Sequence, residues 1–283
     1  MLAAFANQVE FEPAIYVLAN GSTDGTVPEV QKLASAHPNV HLIEIPFGDK
    51  AHAWNHYVFE RAPRAAAHLF MDGDLRMGPE AGPMLLKALA AEGEARAAAA
   101  VPSGGRHAKR YRQEMLQAPV VWGCLYALRD SVLQMFRDRG RQLPIGHLGE
   151  DGLVGFLVAK DLDPRGPNLP GRVIAVDGAF FDYTPIRWYS ASDLKTYFKR
   201  RVSYSVRFYQ FQFLGPRIRS HGLEEMPRNI AELYGVMDRY RRPFRGGLNL
   251  VFDRLAWKRM IRARREFESH SGTGPEHMPV HTG

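Results

Sequence analysis

Short apolar runs that end abruptly in a polar turn recur along the first two thirds of this chain. The runs predict strands at 14–19, 40–45, 67–71, 120–128 and 172–176. The stretches between them predict helices at 27–36, 50–61, 79–98 and 153–159. Strands that alternate with helices are typical of an α/β domain, and we expect a mainly parallel sheet covered by helices.

Charge is distributed unevenly along the sequence. The chain has 37 Lys and Arg against 30 Asp and Glu, and arginine is dense from Phe198 onward. Such an excess favours anionic partners, which include nucleotides, phospholipid head groups and nucleic acid. A non-enzymatic nucleic-acid binder is one hypothesis, but no RNA- or DNA-binding motif accompanies the charge, and we expect no nucleic-acid partner. The single cysteine, Cys124, excludes a disulfide framework.

Two segments near the C terminus, 193–213 and 250–267, combine basic and aromatic residues in a helical pattern. Segments of this kind lie on anionic membrane surfaces, or pack on a domain with a solvated basic face, and both interpretations stay open. The longest apolar stretch, 118–128, is shorter than the roughly 20 residues that cross a bilayer, and no signal peptide is visible. The sequence predicts a cytoplasmic protein, and peripheral contact with the inner face of the membrane is one of the two interpretations that these segments leave open.

Two carboxylates follow the predicted strand at 67–71, in the segment Asp72-Gly73-Asp74. Ligands of open α/β sheets bind beyond the carboxyl ends of the strands. Mg²⁺ and Mn²⁺ take oxygen ligands from carboxylates and diphosphates, so this pair suits either cation. An ordinary surface turn would use the same residue types.

Two further polar segments lie at strand or helix ends. The loop Asn20–Thr26 follows a strand and opens a helix, so its backbone N–H groups suit the polar edge of a nucleotide. Glu150 and Asp151 precede an apolar helix, where a carboxylate can act as a general base. Each segment also has a plain structural interpretation, as a helix cap or as charge that favours a helix N-terminus.

Taken together and in this order, these motifs resemble the family 2 glycosyltransferases over roughly residues 1–205. The resemblance implies the GT-A fold, a Rossmann-like nucleotide-diphospho-sugar transferase domain, over 1–190. A basic, aromatic helical extension over 191–268 and a disordered tail over 269–283 would complete the chain. The implied activity is metal-assisted, inverting transfer of a hexose from a nucleotide-diphosphate sugar to a hydroxyl of a polysaccharide or lipid-linked glycan.

The resemblance also implies a role for each motif residue. Asp151 would be the catalytic base, with Glu150 as the second member of the catalytic pair. Asp72 and Asp74 would hold Mg²⁺ or Mn²⁺. Gly123 and Arg129 resemble a family motif near the acceptor site. Contacts to the nucleotide-sugar would come from Asn20, Ser22, Asp24, Lys50, Asn55, Asp72, Gly73, Arg200 and Arg201.

Three features depart from the family pattern. Family members open with a strand and a Pro-x-x-Asn/Glu loop, whereas Met1–Gln8 resembles the end of the following helix, so we expect the first strand to be missing. Ala19 stands where the family often has an acidic residue, and Arg200–Arg201 lack the usual Gln and Trp partners. Two alternatives therefore stay open: a nucleotidyltransferase of related fold, and a glycosyltransferase fragment with impaired activity.

Overall fold

The computed structural model describes residues 13–105, 107–121, 125–183, 190–239 and 244–270. Its strands are β1 (Ile15–Asn20), β2 (Val40–Ile45), β3 (Ala67–Met71), β4 (Leu75–Met77), β5 (Ala97–Pro102), β6 (Leu125–Arg129) and β7 (Val173–Tyr183). Its α-helices are α1 (Thr26–Ala36), α2 (Lys50–His56), α3 (Ala81–Ala91), α4 (Ala108–Gln117), α5 (Asp130–Arg139), α6 (Glu150–Val158), α7 (Ala191–His221) and α8 (Asn249–His270). A π-helical turn, Tyr57–Arg61, extends α2, and 3₁₀ segments cover Leu223–Glu225 and Ile230–Asp238.

Strand pairing divides the described strands between two sheets. β1 and β2 form a parallel pair, and the other five strands form a sheet in the order β3-β6-β5-β7-β4. In the larger sheet β5 and β7 are parallel, whereas the pairs β3–β6, β5–β6 and β4–β7 are antiparallel. The α/β class, with a mixed sheet and flanking helices, is confirmed.

The expectation of a mainly parallel sheet is wrong for the described strands. A helix between two strands makes them parallel only when it carries the chain back to the end of the sheet where the first strand began. The helix α4 instead delivers the chain to β6 at the end where β5 finishes, because β5 and β6 are antiparallel. Alternation of strands and helices therefore predicted the class but not the strand directions.

The alanine-rich segment 79–98 is the second correction. The helix α3 ends at Ala91, and Ala97–Pro102 forms β5, whose residues are all buried. Alternate residues of β5 join two different clusters of the core, one on each face of the sheet. Alanine has the highest intrinsic helix propensity, but tertiary context overrides propensity where a strand is covered on both faces.

The helices α7 and α8 pack on the α/β part of the chain and share its main core. Tyr209 of α7 meets Trp257 of α8 edge-on, with ring centroids 5.4 Å apart. Both belong to the same buried cluster as Leu153 and Val154 of α6. The predicted domain boundary stays a prediction, and in the described part of the chain α7 and α8 share one buried cluster with α6.

Some predictions fall partly or wholly outside the described residues. The helix α8 continues through His270, so the predicted disordered tail is wrong for 269–270, and 271–283 lie outside the described part of the chain. Gly123 and the segment Met1–Gln8 also lie outside it. Among the residues that are described, none of the helices combines the length and the hydropathy that crossing a bilayer needs.

Candidate active site

The loop after β1 is tied to the start of α2. The side-chain oxygen of Asn20 accepts a hydrogen bond from the backbone N–H of Asp49 at 2.9 Å. The Asp49 carboxylate in turn caps α2 by accepting from the backbone N–H of His52 at 2.7 Å. Because a side-chain cap fixes the direction of a helix start, these bonds place Lys50, the first residue of α2, beside the loop that was predicted to bind the nucleotide.

Ser22 and Asp24 lie exposed in this loop. Asp24 accepts a hydrogen bond from the backbone N–H of Thr26 at 3.0 Å, and its bonds to Thr26 lower the pKa of Asp24. The helix α1 begins at Thr26, with Gly25 at the N-cap position. The loop therefore presents an ionised carboxylate and a hydroxyl to solvent at the carboxyl end of β1.

The predicted metal pair lies at the carboxyl end of β3, and each carboxylate meets a cation. Lys50 Nζ lies 2.6 Å from Asp72 Oδ1, and Arg200 Nη2 lies 3.2 Å from Asp74 Oδ2. Gly73, between the two, is exposed, and a side chain there would meet no neighbouring atom. Burial raises the pKa of Asp72 although the Lys50 charge opposes the shift. Burial disfavours the charged form of Lys50, but the carboxylates outweigh it and raise the pKa of Lys50.

Glu150 and Asp151 lie in the first turn of α6. Asp151 is buried, and its Oδ1 lies 3.5 Å from Arg207 Nη2. Burial raises the pKa of Glu150 to about 7, with Lys50 opposing the shift and Asp151 and Asp72 adding to it. A carboxyl group that titrates near neutral pH is suited to proton transfer.

The two acidic segments, 72–74 and 150–151, converge around Lys50. Lys50 is influenced by the charges of Asp72, Glu150 and Asp151, and Asp72 by those of Asp74 and Asp151. The ends of β1 and β3 and the start of α6 therefore meet at one place, although the chain separates them by many residues. Tyr126 of β6 lies beneath this cluster, where burial, and then the charges of Glu150 and Asp151, raise its pKa well above the ordinary value.

Two predicted binding residues face elsewhere. Asn55 is buried, and both ends of its amide bond the backbone of Leu143 at 2.8 Å. Arg201 bonds the Asn249 side chain at 2.7 Å and lies over the Phe252 ring, so it joins α7 to α8. Neighbouring residues of a helix point about 100° apart, so Arg200 and Arg201 cannot face the same site. Their assignment as a pair is corrected to Arg200 alone.

Arg129, which resembles a family residue near the acceptor, has a structural role as well. Its guanidinium donates to the backbone carbonyl of Ala95 at 2.6 Å and to that of Glu92 at 3.1 Å. It thus ties β6 to the segment between α3 and β5. These bonds hold the Arg129 guanidinium at that segment and away from the acidic cluster.

Arg207 and Gln210 of α7 are residues that sequence reasoning missed. Arg207 pairs with Asp151, and Gln210 bonds the loop that leads into α6. A helical spacing was the available signal, because Arg200 and Arg207 are seven residues apart and so share one helix face. A basic helix alone does not reveal which of its arginines meet a distant carboxylate.

The acidic site has the donors that a hard divalent cation prefers. The described residues contain no group of three or more His, Cys, Asp or Glu side chains that could hold a metal by themselves. Mg²⁺ is usually bound by one or two carboxylates and completes its coordination with substrate phosphates and water. The pair of partly buried Asp72 and exposed Asp74 fits that mode of binding, with the remaining ligands supplied by a diphosphate.

The sequence model described as Glycosyl transferase family 2 matches residues 1–148, more than half of the chain. The chain belongs to glycosyl transferase family 2. The predicted family is thus confirmed, and the matched part of this family 2 chain contains the loop Asn20–Thr26, Lys50, Asp72 and Asp74. A comparison with curated proteins gives no match.

The family 2 chain is similar to several solved structures. One is S. aureus TarS 1–349 in complex with UDP-GlcNAc, at 14% identity and a TM-score of 0.49, with 95% of this chain and 87% of that chain covered. Another is glucosyl-3-phosphoglycerate synthase from Mycobacterium tuberculosis in complex with Mn²⁺, UDP and phosphoglyceric acid. It has 19% identity and a TM-score of 0.47, with 73% of this chain and 72% of that chain covered.

Proposed function

We propose that this family 2 chain moves a sugar from a nucleoside-diphosphate sugar to a hydroxyl acceptor, with inversion at the anomeric carbon. The observation that carries the proposal is the convergence of Lys50, Asp72, Asp74, Glu150 and Asp151 at one site. A nucleotide loop at the end of β1 lies beside this site through the contact of Asn20 with Asp49. Together they offer a donor site and a base, which are the parts that glycosyl transfer needs.

Donor binding is assigned to the open side of the site. Asn20, Ser22 and Asp24 would meet the nucleoside, and Lys50, Asp72, Gly73 and Arg200 its ribose and diphosphate. Asp72 and Asp74 would hold Mg²⁺ or Mn²⁺, which would supply positive charge for the leaving diphosphate. Lys50 and Arg200 are cations that already lie at these carboxylates, so they are placed to meet the diphosphate oxygens.

Proton transfer is assigned to the buried side. The Asp151 carboxylate takes the proton of the acceptor hydroxyl as the hydroxyl oxygen bonds to the anomeric carbon. The bond from that carbon to the diphosphate oxygen breaks in the same displacement, and the nucleoside diphosphate leaves with the bonding electrons. A single in-line displacement inverts the anomeric configuration. Glu150, with a pKa of about 7, supplies a second proton-exchanging group next to the base.

The acceptor proposed for this site is a polysaccharide or lipid-linked glycan at the cytoplasmic face of a membrane. The first half of α7 and the residues around the start of α8 expose large apolar side chains, which are Leu194, Tyr197, Phe198, Tyr204, Leu248, Val251 and Leu255. The ring centroids of Phe198 in α7 and Phe252 in α8 lie 5.9 Å apart, so the two helices are in contact beside this apolar surface. Basic residues among these side chains would favour anionic head groups.

Sedimentation with lipid vesicles tests the membrane contact. The chain should sediment with vesicles that contain anionic phosphatidylserine and stay in solution with neutral phosphatidylcholine alone. The double variant Phe198→Ser, Val251→Ser should lose this binding, whereas Leu116→Ser, which changes an exposed apolar residue of α4, should keep it. Equal sedimentation of the two variants would contradict the assignment of this surface.

Thermal-shift measurements with UDP-, GDP- and dTDP-sugars, with and without Mn²⁺, test the proposed function. Stabilisation by a nucleotide-sugar that depends on the metal is the expected result, because a ligand that binds the native state raises its melting temperature. A response to free nucleoside triphosphates alone would favour the related nucleotidyltransferase. Failure to transfer a sugar despite metal-dependent donor binding would favour a fragment with impaired activity.

A further inference from the structure

The helix α7 holds the loop that leads into the catalytic pair. Gln210 is 1% exposed, and its side-chain oxygen accepts a hydrogen bond from the backbone N–H of Leu148 at 2.8 Å. Its amide nitrogen donates to the backbone carbonyl of Gly146 at 2.9 Å and to the Tyr234 hydroxyl at 2.7 Å. Gln210 thus fixes the backbone of this loop just before Glu150 and Asp151.

Arg207 lies one turn before Gln210 on the same face of α7 and reaches Asp151 itself. Its Nη2 atom lies 3.5 Å from Asp151 Oδ1, and the Asp151 side chain is 9% exposed. The guanidinium fits against two glycines: a Cβ on Gly149 would lie 2.2 Å from its Nε atom, and one on Gly152 would lie 2.8 Å from its Nη2 atom. The approach of Arg207 to Asp151 therefore requires residues without side chains at both positions.

Among the described residues, the charged groups whose electrostatic influence reaches Asp151 differ from Arg207 in kind or in partner. Lys50 bonds Asp72, and Glu150 and Asp72 carry the same sign of charge as Asp151. His147 is buried, and burial and the Arg207 charge lower its pKa to about 4, so it is neutral at neutral pH. In the part of the chain that the structure describes, Arg207 is therefore a cation that meets the Asp151 carboxylate directly.

We propose that Arg207 is a positioning residue, which holds the Asp151 carboxylate in the orientation that proton removal from the acceptor needs. This inference rests on the proposed function, in which Asp151 is the base. It also assigns a role to the helical extension, because α7 completes the catalytic site. A small displacement of a catalytic group costs about 10²-fold in rate, so the side chain that orients the base affects turnover without touching the donor.

Steady-state kinetics of Arg207→Ala test the proposal. Turnover should fall by about 10²-fold, the loss that a misplaced catalytic group produces, while KM for the donor stays unchanged. Arg207→Lys should restore part of the loss, because it keeps the charge. The matched control is Arg217→Ala, which removes another half-exposed arginine of α7 that pairs with one carboxylate, Glu225. Arg217→Ala should keep full turnover.

Gly152→Ala is a second test that leaves Arg207 in place. The new Cβ would collide with the end of the Arg207 side chain and with no backbone atom outside the helix, and alanine favours the helix over glycine. It should displace the guanidinium and lower turnover, but cause no further loss in an Arg207→Ala background. A full additional loss in that background, or normal turnover of Arg207→Ala itself, would overturn the proposal.

A thermal-unfolding cycle tests the contact without any substrate. Arg207→Ala should lower the melting temperature of the wild-type chain, because it removes a cation from beside a buried carboxylate. Arg207→Ala should have little effect in an Asp151→Asn background, because the asparagine amide carries no charge for Arg207 to pair with. Equal effects in both backgrounds would contradict the contact. If this cycle succeeds and the wild-type chain transfers no sugar, the proposed function fails while the positioning contact stands.

Discussion

The two sides of the site contain the same kinds of side chain in different surroundings. On the open side, Asp74 is 69% exposed and pairs with Arg200, which is 44% exposed. On the closed side, Asp151 is 9% exposed and pairs with Arg207, which is 40% exposed. An exposed ion pair contributes about 0–1 kcal/mol, whereas removing the cation from a buried carboxylate costs more, up to about 3–5 kcal/mol when both partners are buried. The difference suits the open side to binding and release of the donor, and the closed side to holding the base.

The largest effect is expected on the closed side. Asp151→Asn should lower turnover by about 10²- to 10⁴-fold, the usual contribution of a general base. Donor affinity should be unchanged, because Asp151 is assigned to the acceptor. Release of nucleoside diphosphate in the presence of acceptor, together with donor calorimetry, measures both. Loss of donor binding in this variant would move Asp151 to the open side.

The next largest effect is expected at the cation site. Asp74→Asn should lower turnover by about 10²- to 10³-fold, which is typical when one group that stabilises developing charge is removed. It should also raise the Mn²⁺ concentration that half-saturates activity. Asp177→Asn is the matched control, since Asp177 is 51% exposed and also pairs with an arginine, Arg112. Similar metal dependence in both variants would contradict the assignment of Asp74.

A smaller effect, on stability, should depend on pH. Glu150 titrates at about 7 in the folded chain instead of 4.5, so the folded state binds more protons than the unfolded state between these values. Stability should therefore fall as the pH rises through this window. Glu150→Gln removes the free-energy cost of ionising this buried carboxyl group. The variant should therefore have a free energy of unfolding higher by about 1–3 kcal/mol at pH 8, with little change at pH 4.

Urea unfolding of Glu150→Gln and of the wild-type chain at several pH values measures this effect. Glu114→Gln supplies the control, because Glu114 is an exposed glutamate of α4. Curves that stay parallel from pH 4 to pH 8 for Glu150→Gln would show that the Glu150 carboxyl is not buried among like charges. The closed side would then resemble the open side.

The smallest effect is expected from the exposed ion pair. Arg200→Ala should change the free energy of unfolding by less than about 1 kcal/mol, since both partners are largely solvated. Arg207→Ala should cost more, because its partner is buried. Chemical denaturation of both variants at pH 7 makes the comparison. A larger loss for Arg200→Ala would reverse the distinction between the two sides.

The sequence located most residues of this candidate site because they lie at the ends of strands or at the start of a helix. Asn20, Asp72 and Asp151 each sit in a short polar segment next to an apolar run, and topology brings such ends together. Asn55 and Arg201 were assigned by motif position, which does not specify the direction of a side chain around a helix. The role of Arg207 depends on how α7 packs against α6, and that packing is set by tertiary contacts such as Gln210 with Leu148.

The fold shows the same division between local and tertiary information. Short apolar runs identified β1, β2 and β3, and in β1 and β2 these runs include β-branched Ile and Val, so the patterns are local. The strand β5 was missed because Ala97–Ala100 have a helical composition and become a strand only when covered on both faces. Strand direction in the larger sheet was also missed, because it depends on the end of the sheet at which the chain enters the next strand.

Paramagnetic broadening by Mn²⁺ tests most directly whether the carboxylates of β3 and α6 share one site. In a chain with carboxyl-¹³C aspartate, Mn²⁺ bound at Asp72 and Asp74 should broaden the resonance of Asp151. It should leave sharp the resonance of Asp161, which lies just beyond the other end of α6 and pairs with Arg96 and Arg172. An Asp151 resonance as sharp as that of Asp161 at saturating Mn²⁺ would contradict a shared site.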